Sequence, residues 1–213
     1  VRVLFPAAAV GAATAAGAAG WGLFNVTRWP GWLEVALAVA ILDFAIYLQH
    51  VLVHAVPGLW RLHRMHHADL DIDVTTGARF HPVEIAFSMI LKIMVVGALG
   101  APVLAVLIFE VVLNASAMFN HANARLPLGV DRLLRLVLVT PDMHRVHHSV
   151  RSEETNSNYG FCLPWWDRLF GTYRAQPADG HDAMTIGLER FRDPGELRLD
   201  RMLLQPLRGA DGD

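Results

Sequence analysis

Cysteine is almost absent: Cys162 stands alone in 213 residues. This excludes an intramolecular disulfide framework, a cysteine-rich zinc module and a cysteine-ligated iron–sulfur cluster. Charge is scarce too, at 18% of residues with a formal net charge of −2, which leaves no basic surface for phosphate binding and excludes nucleic acid as a partner. The sequence holds no Gly-x-Gly-x-x-Gly loop, no haem-attachment motif and no His-Glu-x-x-His with its general base. It also lacks a repeat of solenoid length. Any redox chemistry therefore draws its electrons from another protein.

Apolar residues are abundant, at 54%, above the roughly 45–50% of an average globular chain. They fall into runs at 7–24, 32–49, 85–98 and 103–119, each read as a membrane helix, the first near the minimum length that hydrocarbon requires. The fold class expected is all-α: a bundle of about four transmembrane helices in one domain spanning 1–213. For 7–24 the alternative is a signal peptide, with Arg2 as a minimal basic start. Gly97, Gly100 and Pro102 punctuate the last two runs into a helical hairpin. The polar stretch between Pro57 and Pro82 reads as a loop at the membrane surface, 120–175 as a helical cap, and 176–213 as a solvated tail. Within the cap, 130–139 is too short to cross and reads as an amphipathic interfacial helix. Nearly all the arginines fall on the side of the 57–84 loop and the cap, and by the positive-inside rule that side is cytoplasmic.

The chain has eleven histidines, an unexpected number for so apolar a sequence. His50 and His54 are four apart at the end of the second run and share a helical face. His63, His66 and His67 follow as His-x-x-His-His, and His144, His147 and His148 repeat that pattern, the two copies reading LHRMHH and MHRVHH. Eight imidazoles on one side of a membrane are too many for one tetrahedral zinc and suit two metals with open positions. Imidazole accepts zinc, copper, iron and nickel alike. A site at the mouth of an apolar bundle is where a lipid tail meets the metal, and breaking an unactivated C–H bond there favours iron with oxygen. Zinc remains a possible substitute in recombinant material. A membrane metal-binding or transport protein is the competing class, although transport wants polar residues along the spans, whose charged residues are only Glu34 at an edge, Asp43, Lys92 and Glu110.

The order His-x3-His, His-x2-His-His, His-x2-His-His, with RFHPVE at 79–84, FNHAN at 119–123 and ETNSNYGFCLPWWDRLFGTY at 154–173, resembles the fatty acid hydroxylase/sterol desaturase superfamily. The resemblance implies an integral-membrane, non-haem di-iron oxidoreductase. Such an enzyme uses O2 as co-substrate to hydroxylate or desaturate a sterol, fatty acyl or related lipid, with carotenoids and ether lipids as alternatives. It implies an external electron donor, a b-type cytochrome or a ferredoxin with its reductase. Carried over by position, it makes His50, His54, His63, His66, His67, His144, His147 and His148 the metal ligands, with His121 and His81 as further candidates. His181 reads as a surface residue.

Several other residues are expected to support this site. Asp43 and Tyr47 continue the stripe of His50 and His54 down one helix face and can orient a histidine or a neighbouring helix. Glu110 and Asn114 do the same in the fourth run, as glue between helices or as support for the site. Asp142 is placed to cap the second histidine helix or to accept an imidazole N–H. Asp69, Glu153 and Asn156 follow the two clusters and are candidates for the same task. Trp165, Trp166 and Tyr173 are expected to roof the pocket, or else to anchor the chain at the interface.

Overall fold

The computed structural model describes residues 4–27 and 29–209. The possible signal-peptide start at Arg2 and the end of the tail at 210–213 lie outside them. Among the described residues the regular structure is helical, apart from an isolated antiparallel bridge between Ser149 and Ile186. The helices are α1 (Leu4–Ala19), α2 (Leu23–Thr27), α3 (Gly31–Ala55), α4 (Pro57–His67), α5 (Pro82–Leu99), α6 (Val103–Asn120), α7 (Leu128–Leu134), α8 (Pro141–His147), α9 (Ser152–Thr155), α10 (Trp165–Phe170), α11 (Gly180–Ala183) and α12 (Leu199–Leu204).

Four stretches are long and apolar enough to cross a membrane: Pro6–Thr27, Gly31–Ala55, Pro82–Leu99 and Val103–Asn120. Their outward faces carry large exposed apolar side chains such as Trp32, Ile90, Met94, Leu104, Leu107 and Val111. Inward faces are built from small or branched residues, with Ala9 and Ala13 of α1 packed among Ala38, Leu42, Val96, Ala105 and Phe109. Alanine lets helix backbones approach closely, and close packing is what binds helices in lipid.

The first span departs from the expected single helix. It breaks after Ala19, because Gly20 and Gly22 take positive φ values of 67° and 93°, a conformation that only glycine adopts readily. The break seats the chain against the α5–α6 turn, where Gly100 also has positive φ. A Cβ on Gly22 would lie 2.1 Å from the Gly100 nitrogen. The second span is longer than expected and carries His50 and His54 inside α3. The expected surface loop after Pro57 is in fact helical up to His67. Proline at the first position of α4 costs no hydrogen bond, and the helix buries His63 through His67 continuously.

The amphipathic segment after residue 127 forms α7 and a following turn, with its polarity reversed relative to a soluble helix. Leu128, Val130, Leu133, Leu136 and Val137 are exposed, whereas Asp131 and Arg135 are buried and paired at 2.7 Å. Its polar face works inward: Asp131 accepts from the Thr140 hydroxyl at 2.6 Å. Thr140 in turn caps α8, accepting the Met143 N–H. The cap on the second histidine helix is therefore Thr140 and not Asp142. Proline at 141 starts the helix, and the threonine before it has the extended backbone that a cap needs. Asp142, one residue further on, instead lies 3.9 Å from Arg145 and 4.0 Å from His181, which is itself only partly exposed.

The tail is not a detached cap. The Arg64 guanidinium, wholly buried on α4, donates to the Gln205 carbonyl and, at 2.7 Å, to that of Arg208. The chain after α12 is thereby strapped across the histidine helix.

Candidate metal centre

Nine histidines converge at the end of the bundle where α3, α4, α6 and α8 meet. His50, His54, His63, His67 and His147 form one group, and His66, His121, His144 and His148 a second. In each group one nitrogen per ring lies within 4.8 Å of all the others. The groups adjoin, with the His67 and His148 rings stacked at 4.6 Å and those of His66 and His67 edge to face at 5.3 Å. All but His54 are buried.

The ring orientations are set from outside. In five rings Nδ1 faces an acceptor and so carries the proton. His63 donates to Glu84 at 2.6 Å, His50 to the Tyr159 carbonyl at 2.8 Å and His147 to the Ser157 carbonyl at 2.8 Å. His66 donates to the Thr76 carbonyl at 3.1 Å and His121 to the Ala117 carbonyl at 2.7 Å. A neutral imidazole protonated on Nδ1 has a bare lone pair on Nε2, and these lone pairs point into the two groups.

His66 and His121 show what this means. Their Nε2 atoms lie 3.2 Å apart with both protons committed elsewhere, so two lone pairs face each other with no hydrogen between them. The Nε2 atoms of His144 and His148 complete the set at 3.0 Å from His121 and 3.3 Å from His144. Such separations are the ligand-to-ligand edges around one ion with metal–nitrogen bonds of about 2.0–2.1 Å. In the other group Nε2 of His50, His63 and His147, and both nitrogens of His54 and His67, are buried without a hydrogen-bond partner. Buried nitrogens left unpaired are costly, and a cation in each group satisfies them. The residues present fit two metals.

Protonation does not supply that charge. Burial, reinforced by neighbouring imidazoles, holds His66, His67, His144 and His148 well below the ordinary histidine range. Burial likewise lowers His147 to about 3 and His121 to about 4. Burial thus favours the neutral form of these six rings, which is the form that binds metal.

His81 lies apart from both groups. It precedes Pro82 and caps α5, its Nδ1 accepting the Val83 N–H at 3.2 Å while Nε2 faces the Leu203 carbonyl at 3.3 Å. Both nitrogens are used, so the geometry does not favour it as a ligand. Asp43 and Tyr47 hold the later chain and not a histidine. Asp43 accepts from the Cys162 and Leu163 N–H groups and from Trp166 Nε1 at 2.8 Å, and Tyr47 pairs with the Thr172 hydroxyl at 3.1 Å. Asn156 bonds back to Ser152 and faces the Tyr159 hydroxyl at 3.4 Å. Asp69 acts through another residue, accepting from Thr76, whose carbonyl holds His66. Glu153 is exposed and lies 3.9 Å from Arg151.

Three supporting residues were not assigned a role from sequence. Glu84 orients His63 from 21 residues away, and its one signal is its place in RFHPVE. Asn158 has φ of 51° and is clamped by the Met143 and Arg174 carbonyls at 2.9 and 2.8 Å. Its two neighbours present the carbonyls that hold His147 and His50. Asp167 accepts from the Tyr159 and Gly160 N–H groups, both at 2.8 Å.

A cavity of about 420 Å³ opens from the histidines into the bundle, lined by α3, α5, α6 and the 77–80 loop. His50, His63, His66 and His144 form one end, and Ile46, Val53, Met89, Leu113 and Phe161 line its walls. Trp165, Trp166 and Tyr173 do not line it. Trp165 bonds the Leu136 carbonyl at 2.6 Å, Trp166 packs on Phe44, and Tyr173 lies under Arg168 at 4.2 Å. These contacts hold the three rings away from the cavity, Trp166 against α3, and from the 154–173 block Phe161 reaches the cavity.

A membrane-spanning helical bundle with paired histidine clusters at one end defines the class, and the comparisons agree. The fatty acid hydroxylase family model matches residues 35–172, and the chain belongs to that family. Ornithine lipid hydroxylase OlsE of Rhizobium tropici is 35% identical over 150 residues, covering 70% of this chain and 44% of its own length. Human alkylglycerol monooxygenase is 30% identical over 161 residues, 72% of this chain and 33% of its length. Rat cholesterol 25-hydroxylase is 24% identical over 164 residues, 76% of this chain and 53% of its length. The chain thus matches about half or less of each relative. No solved structure gives a significant match.

Proposed function

We propose that this chain is a di-iron, oxygen-dependent lipid hydroxylase of the membrane, with its histidines on the cytoplasmic side and its electrons delivered by a separate protein. The observation that carries the reading is the facing pair of bare Nε2 lone pairs on His66 and His121, 3.2 Å apart at the mouth of an apolar cavity. Two irons held by the two groups would supply activation of O2, a chemistry that imidazole-bound iron supports and zinc does not. His50, His54, His63, His67 and His147 are the proposed ligands of one, and His66, His121, His144 and His148 of the other.

The chain's own residues do the positioning. Glu84 and the carbonyls of Thr76, Ala117, Ser157 and Tyr159 fix the rings before substrate arrives. The apolar walls of α3, α5 and α6 exclude water and place a lipid carbon against the histidine end. The relatives are named for hydroxylation or monooxygenation, which favours insertion of oxygen over removal of two hydrogens. Arginines on the histidine side, among them Arg61, Arg64 and Arg79, support a cytoplasmic face. The test is lipid mass spectrometry of a host with and without the gene. The expected result is a lipid class heavier by one oxygen that disappears in a His66→Ala variant. A lipid class lighter by two hydrogens in the host carrying the gene would point to desaturation, and an unchanged lipid profile would overturn the reading.

A further inference from the structure

The substrate cavity is apolar along most of its wall, yet Lys92 of α5 and Glu110 of α6 both line it. They are 7% and 5% exposed and pair Nζ to Oε1 at 2.5 Å. An ion pair within membrane-spanning helices is expensive, and such groups mark a functional site more often than they stabilise a fold. This pair is incompletely satisfied. The Lys92 ammonium has three N–H donors, and Glu110 Oε1 is its partner among the described residues. Asn114, one turn along α6, lines the same wall while its amide is turned back to the Glu110 carbonyl at 2.8 Å. Nearer the histidines, Gln49 also lines the cavity at 9% exposure, and its Oε1 is buried without a partner.

Depth follows from helix geometry. Lys92 lies ten residues beyond Pro82 on α5 and Glu110 eleven before His121 on α6. At 1.5 Å per residue the pair sits about 15 Å from the histidine level. Spare ammonium donors beside a carboxylate acceptor suit a group that both donates and accepts. The pair is neutral overall, so an ionised headgroup would bring an uncompensated charge into a low-dielectric site. A hydroxyl meets both conditions, whereas an ether only accepts and a methyl does neither.

We propose that Lys92 and Glu110 form a hydroxyl-recognition site at the far end of the cavity, selecting a lipid that bears a neutral hydroxyl about 15 Å from the carbon that is oxidised. This rests on the reading of the cavity as a substrate chamber. The pair then acts as a ruler, fixing which carbon reaches the histidines.

The test uses the full chain in nanodiscs, loaded with zinc so that no turnover intervenes, and measures the thermal shift with 1-hexadecanol, hexadecyl methyl ether and hexadecane. The wild type is expected to bind hexadecanol about tenfold or more tightly than the other two, the scale of one hydrogen bond to a charged group. Lys92→Met combined with Glu110→Met should remove that preference while retaining hexadecane binding. The swapped pair, Lys92→Glu with Glu110→Lys, should restore it and serves if the double methionine variant does not fold. Equal binding of the three probes by the wild type, or a hexadecanol preference that survives the double methionine change, overturns the proposal. Host lipids that gain no oxygen while the hydroxyl preference persists would overturn the oxidation reading alone.

Discussion

Glu84 Oε1 lies 2.6 Å from His63 Nδ1, joining the first turn of α5 to the middle of α4. A carboxylate behind an imidazole fixes its tautomer and raises the basicity of the opposite nitrogen, and losing such a partner typically costs 10–100-fold in metal affinity. Glu84→Ala should weaken metal binding in the five-histidine group by about that factor, with Glu84→Gln intermediate. Metal titration of the purified chain checks this, and unchanged affinity in both would show that His63 needs no support.

The two groups make separable predictions for metal content. His147 belongs to the five-histidine group and His66 to the four-histidine group. His66→Ala should lower the metal content from about two ions per chain to about one, since a four-coordinate site tolerates loss of a ligand poorly, whereas His147→Ala leaves four imidazoles in its group and should lower the content by less. Anaerobic purification with elemental analysis reads the count. Retention of both ions in both variants would sink the division into two groups.

Asn158 holds no metal, yet the carbonyls on either side of it orient His147 and His50. Asparagine tolerates the left-handed backbone seen there, at φ 51°, better than most residues. Asn158→Ala loses three hydrogen bonds, to Met143 and to both backbone groups of Arg174. Thermal unfolding should show a loss of about 2–4 kcal/mol. Metal content should fall with it, whereas a purely structural role would lower stability alone.

Arg64→Met should free the strap. The guanidinium is the donor to the Gln205 and Arg208 carbonyls, and leaving buried carbonyls unsatisfied costs about 1–3 kcal/mol each. Limited proteolysis should cut the chain beyond residue 190 faster in the variant, with metal content unchanged. Equal cleavage rates would show that other contacts hold the tail.

Much of the site was legible because helix periodicity is a property of spacing. His50 and His54, or His63, His66 and His67, share a face by arithmetic alone, and the apolar spans announced themselves by length. The supports were less visible for a physical reason. Of the five ring acceptors, the four other than Glu84 are backbone carbonyls, which every residue possesses and no side chain advertises. Asp142 was the plausible cap by residue type, but the threonine before a proline had the backbone conformation to do it. His81 shared the residue type of a ligand, yet its place at the start of α5 consumed both nitrogens. The tryptophans at 165 and 166 have the residue type of a roof, whereas the Leu136 carbonyl and Asp43 bind their indoles away from the cavity.

The Arg64 strap has a bearing on the order of synthesis. Every proposed ligand lies at or before His148, and the carbonyls that satisfy Arg64 come 57 residues or more later, at Gln205 and Arg208. While the ribosome makes that interval, the histidines are already complete and the helix bearing three of them is still unfastened. The strap is thus a part of the fold that can form only after every proposed ligand has been synthesised.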